Sequence, residues 1–101
     1  MRLAAEQIDH IISATREMLG PHARVWLFGS RVDDTRLGGD IDLLVEADQR
    51  VEQPVWTAAQ LTARLQRRLG DRRIDVLLTD PTTQPEPIHL VARSEGLLLT
   101  P

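Results

Sequence analysis

The chain has 101 residues, of which 42% are hydrophobic and 27% charged, an ordinary balance for one folded domain and too apolar for a disordered one. Twelve basic side chains, every one Arg, stand against fifteen acidic ones for a net charge of -3, which disfavours gripping nucleic acid by bulk charge and closes any mechanism that needs a Lys. No cysteine is present, so disulfides, thiolate catalysis and Cys-type zinc sites are excluded; no apolar run reaches the ~20 residues of a membrane span. With no secretory signal before the first charged helix, the expected address is the cytoplasm.

The periodicity of Ile8, Ile11, Ile12, Met18 and Leu19 predicts an amphipathic helix over 3–19, stopped by Gly20-Pro21. Residues 24–28 read as a short strand ended by Gly29, and 30–39 as a polar loop closed by Gly38-Gly39. A second strand spans 40–46, with Ile41, Leu43 and Val45 on one face and Asp40, Asp42 and Leu44 on the other. Pro54 opens a second helix to Leu69, whose expected buried stripe is Val55, Ala58, Leu61, Leu65 and Leu69. A third strand covers 73–79, an irregular proline-bearing connection 80–87, a third helix 87–95 and a short last strand 97–99. The expected architecture is α/β (α+β in the looser sense): a small mixed sheet flanked by helices, in one domain over 1–101.

Connection lengths set the expected pairing. A helix of about fifteen residues between the second and third strands is a βαβ crossover, which favours a parallel pair. The first two strands are joined by a loop alone and should pair antiparallel. That combination brings Gly29-Ser30, Asp40, Asp42 and Asp75 to one edge of the sheet.

Those residues carry chemistry. Asp40 and Asp42 are one residue apart on a strand, so both carboxylates share a face, roughly 6–7 Å apart at the backbone. Asp75 should arrive beside them from the neighbouring strand. Three convergent carboxylates repel unless a cation compensates them, and Mg²⁺ prefers a few carboxylates together with substrate phosphates. A single Asp at a strand start is often only a turn marker. Three of them, within Ile-Asp-Leu-Leu-Val and Ile-Asp-Val-Leu-Leu, argue for purpose, since burying acids in apolar strands is costly. Gly29 permits a sharp turn after the strand, and Ser30 offers a hydroxyl and an amide to phosphate oxygens. Neither a P-loop nor a nucleophile elbow is present, because Gly-Lys-Ser/Thr and the second Gly of Gly-x-Ser-x-Gly are missing.

Gly29-Ser30, nine residues, then Asp40-Ile41-Asp42 resembles the signature of the DNA polymerase β-like nucleotidyltransferase superfamily. The stretch from Leu27-Phe28-Gly29-Ser30-Arg31 to Asp42-Leu43-Leu44-Val45 looks like its minimal nucleotidyltransferase branch, and Asp75 sits where that family carries its third carboxylate. The resemblance runs from the first helix to the Glu95-Gly96-Leu97-Leu98 tail. It implies a mixed sheet flanked by helices and transfer of a nucleoside monophosphate, AMP from ATP, to an acceptor hydroxyl. Asp40, Asp42 and Asp75 would be the catalytic and metal-holding residues, for two Mg²⁺ ions or Mn²⁺, and Gly29 and Ser30 would bind the nucleotide. It also implies a helical partner of the HEPN type, with the chain acting as antitoxin, some such proteins by adenylylating the partner. Val32-Asp33-Asp34 departs from the small residue, Arg and Gly of many relatives, and these acids are expected to face solvent.

Two further readings stand beside this one: a weakly catalytic module that sequesters a helical partner, and the nucleotide-binding subunit of a two-chain enzyme for small molecules. A chain this short has little surface for an acceptor, so a partner protein or a homo-oligomer is expected to supply it. Arg31 and Arg36 are either phosphate contacts or solvent-facing loop residues. Arg64, Arg67, Arg68, Arg72 and Arg73 form a basic cluster, read either as a solvated helix end or as a patch for an acidic partner. His10, His22 and His89 lack metal-like spacing, and Trp26 and Phe28 read as core.

Overall fold

A computed structural model describes residues 4–28, 41–70 and 73–100. Its elements in chain order are helix α1 (Ala5–Leu19), strand β1 (Arg24–Phe28), strand β2 (Ile41–Glu46), helix α2 (Pro54–Leu69), strand β3 (Ile74–Thr79), helix α3 (Pro87–Glu95) and strand β4 (Leu97–Leu98). The predicted elements are all present, with ends that shift by a residue or two. Helix α1 starts at Ala5, where Gln7 Oε1 accepts the Ala4 amide at 2.9 Å. Pro54 and Pro87 open α2 and α3, a position whose amide has no helical partner to lose. Gly20 and Gly70 end α1 and α2 at φ +94°, which L side chains rarely adopt, and their amides reach back to Arg16 O and Gln66 O.

The strands form one mixed sheet in the order β3-β2-β1-β4. Strands β1 and β2 pair antiparallel, β2 and β3 parallel, and β4 joins the free edge of β1 antiparallel. The last strand is shorter than expected, yet Leu99 N–H still reaches Val25 O at 2.8 Å, and Thr100 Oγ1 accepts the Val25 amide. The alternation of strand side chains divides the interior in two. On one face Val25, Leu27, Ile41, Leu43, Val45 and Ile74 pack beneath α1 and α2, which contribute Ile11, Ala14, Leu61, Leu65 and Leu69. On the other, Trp26 and Leu44 meet Ala92 of α3, with Phe28 and Leu77 at the margin. Trp26 is therefore core, as its strand position predicts.

The expected stripe of α2 fails at its first member. Val55 is 84% exposed while Leu61, Leu65 and Leu69 are buried: at about 100° per residue it stands about 80° away from the centre of that stripe. The end of α2 is tied to α1 instead by charge: Glu17 accepts from Arg64 Nη1 at 3.0 Å and Arg68 Nη2 at 2.9 Å. Two members of the basic cluster thus have an intramolecular partner and bridge the two helices.

Candidate active site

Three strand ends converge where β1 finishes and β2 and β3 begin. In the antiparallel register Phe28 stands opposite Asp42, and in the parallel register Asp42 stands opposite Asp75. Neighbouring strands lie about 4.8 Å apart, and register partners project to the same face, so these two carboxylates are lateral neighbours. They share the face of Trp26 and Leu44, away from α1 and α2. The preceding and following residues, Ile41 and Leu43 on β2 and Ile74 on β3, point into the larger core and clamp both strands. Period-two alternation leaves the intervening Asp on each strand nowhere to point but the other face.

Burial distinguishes the pair. Asp42 is partly buried, whereas the Asp75 side chain is 50% exposed. The argument that acids are sunk in apolar strands therefore needs correction for Asp75. β3 is an edge strand, and its first residues stand at the rim, where solvent reaches the carboxylate. Arg73 Nε approaches Asp75 Oδ2 at 3.3 Å. This counter-ion escaped the sequence reading, which placed Arg73 with the end of α2. The signal was available: Arg73 and Asp75 are two residues apart on an extended segment, the same spacing that aligns Asp40 with Asp42.

Gly29, Ser30 and Asp40 lie outside the described residues, as do Arg31, Val32, Asp33, Asp34, Arg36 and Arg72. Among the described residues no group of three or more metal-ligating side chains comes together. The two that do meet are hard anionic oxygen donors, a set suited to Mg²⁺ or Mn²⁺ rather than to a soft metal. The donor chemistry fits a divalent ion that also takes oxygens from a phosphate.

The opposite end of the same strands holds a different arrangement. A cavity of about 260 Å³ is lined by Glu46, Thr79, Asp80, Pro81, His89 and Arg93, among others. It lies four residues along β2 and β3 from the acid pair, roughly 13 Å at ~3.3 Å per residue. Its anions are already satisfied. Arg93 pairs with Glu46 and lies over the Trp26 ring at 5.9 Å from the centroid. Asp80 accepts from the Thr82 hydroxyl at 2.6 Å, the Val51 amide at 2.7 Å, the Thr82 amide at 2.8 Å and the Thr83 hydroxyl at 3.3 Å. These donors, the Thr82 hydroxyl first, hold the Asp80 carboxyl down at about 2, against burial that pushes the other way. Asp80 serves as a structural tie between the segment before α2 and the turn after β3. That leaves the acid pair as the candidate site.

The fold and this acid-bearing edge meet a family pattern. The model of the nucleotidyltransferase domain matches residues 8–91, from within α1 to within α3. The chain belongs to the nucleotidyltransferase domain family. Its mixed sheet flanked by helices is the polymerase β-like nucleotidyltransferase fold. The general activity is nucleotidyl transfer, with a nucleotide as substrate. No curated protein is significantly similar to the chain. Among the described residues of this nucleotidyltransferase domain, no helix is long and apolar enough to cross a membrane.

Proposed function

We propose that the chain transfers AMP from ATP to a hydroxyl on a separate helical protein, as the antitoxin of a HEPN-type pair. The observation that carries this reading is the register Asp42–Asp75 at the strand ends, in a chain of the nucleotidyltransferase family. Asp42 and Asp75, with Asp40 one residue before Ile41, would hold two Mg²⁺ ions or Mn²⁺. Bound there, the ions would neutralise triphosphate charge and polarise the α-phosphorus. Gly29 and Ser30 would seat the β- and γ-phosphates through backbone amides and the Ser hydroxyl. Asp75, the more exposed acid, would accept the proton of the acceptor hydroxyl. The acceptor oxygen then bonds to the α-phosphorus as the bond to the departing pyrophosphate breaks, so the protein's share is positioning and charge.

The chain lacks Tyr, which removes the simplest self-modification target and supports transfer to another protein. The test is incubation with ATP, Mg²⁺ and the protein encoded beside it, followed by intact mass. The expected result is an adduct of about 329 Da, one AMP residue, on the partner. It should vanish with Asp42→Asn.

A second reading, sequestration of a helical partner without transfer, draws on the exposed apolar side chains Ile88 and Val91 of α3 with Leu97 and Leu98 of β4. Full neutralisation of the partner by an Asp40→Asn/Asp42→Asn double variant, with no adduct from the wild type, would select it.

A further inference from the structure

Arg73 is placed with unusual economy. Its carbonyl oxygen accepts the Ile41 amide at 2.9 Å, which locks its backbone to β2 one residue before Asp42. Its side chain is 70% exposed, and its Nε rests against Asp75 Oδ2 at 3.3 Å. A backbone held to the sheet and an exposed cationic head, two residues from one carboxylate, suit a displaceable group. The contact is weak by design of its surroundings. Exposed ion pairs are worth little, because water and salt screen them and ordering two long side chains costs entropy. A divalent ion, with twice the charge and direct coordination, outcompetes a solvated guanidinium. Before the ion arrives, the guanidinium offsets part of the repulsion between acids that face each other across β2 and β3.

We infer that Arg73 is a built-in counter-ion that occupies Asp75 in the metal-free protein and is displaced when a divalent cation binds the acid pair. Arg73 is thus a positioning residue that acts through Asp75. The inference rests on the reading of Asp42 and Asp75 as metal ligands. It makes the two states respond in opposite senses: removing Arg73 weakens the metal-free protein and strengthens metal binding. A residue that merely supported the fold would weaken both.

The experiment is a Mn²⁺ titration of the full chain without nucleotide, free ion being counted by electron paramagnetic resonance, with thermal melts in the same buffers. Wild type, Arg73→Gln, Arg73→Lys and Asp75→Asn are compared. Arg73→Gln should bind Mn²⁺ about 1.5- to five-fold more tightly at low ionic strength, the range set by an exposed ion pair. The gain should shrink in high salt. Its metal-free melting temperature should fall while its Mn²⁺-saturated one matches the wild type. Arg73→Lys should restore wild-type affinity, and Asp75→Asn should bind more weakly than wild type. Mn²⁺ binding by the wild type with equal or weaker binding by Arg73→Gln would overturn the inference and leave the metal site standing. Failure of every protein to bind Mn²⁺ would overturn both.

Discussion

Replacing Asp42 by Asn removes one charge from a like-charged pair and one ligand from a metal site, and the two effects have opposite signs. Asp42 and Asp75 are register partners on adjacent strands, so their backbones are about 4.8 Å apart. Bare repulsion at 5 Å and an effective dielectric of 20 would be about 3 kcal/mol. That is an upper bound here, because Asp75 is half exposed and has Arg73 beside it. Like charges facing each other on paired strands cost about 0.2–1 kcal/mol, the scale that applies. Asp42→Asn keeps the side-chain shape and the Arg73–Asp75 contact while relieving this repulsion. Its metal-free melting temperature should therefore rise by roughly 1–6 °C for a domain of this size. The wild type should overtake it once cation is present. At a hundred times the dissociation constant, ligand binding contributes about 2.7 kcal/mol, or some 10–20 °C, and the variant should forgo most of that. Differential scanning fluorimetry with and without Mn²⁺ reads both signs. A metal-free variant destabilised by more than about 1 kcal/mol, with an undiminished Mn²⁺ gain, would refute the reasoning and make Asp42 a structural hydrogen-bonding residue.

Acid should act on the other end of the sheet. The Asp80 carboxyl is held at about 2, below its ordinary 3.8, so its contribution to stability is complete above about pH 5 and is lost as pH falls toward 2; carboxyl carbon shifts followed by NMR should titrate there, and Asp80→Asn should flatten the stability–pH curve in that window. At Gly96 a Cβ would run into the Ala92 and Leu27 carbonyl oxygens, where α3 turns into β4. Gly96→Ala should therefore cost about 1–3 kcal/mol in urea unfolding, the range for overpacking, and a cost below 0.5 kcal/mol would mean the turn relaxes freely. Glu17→Gln should lose at most about 1 kcal/mol, because Glu17 is exposed and its two Arg partners are reached by solvent too. That loss should fade in 1 M salt, and a salt-independent loss would point to packing rather than charge.

The legible part of the site was its strand chemistry. Alternation placed Asp42 opposite the core face, connection lengths made β2 and β3 parallel, and parallel register then brought Asp75 alongside. The nearer cation was missed, because Arg73 was grouped with its neighbours in sequence rather than with the strand it precedes. Val55 was misassigned for a related reason. It was grouped with Leu69 two heptads away, a span over which helical phase drifts by about 40°, and it lies further still from Leu61 and Leu65.

By itself, then, the sequence determined the elements, the faces of the strands and the pairing senses of the first three strands, since these follow from local periodicity and chain connectivity. Tertiary structure alone decided what depends on distance through space. The edge position of β3 leaves Asp75 half exposed, and the approach of α1 turns Arg64 and Arg68 into partners of Glu17. Solvent access and charge pairing are set by whatever the fold packs alongside a residue, and a linear pattern carries no record of that neighbour.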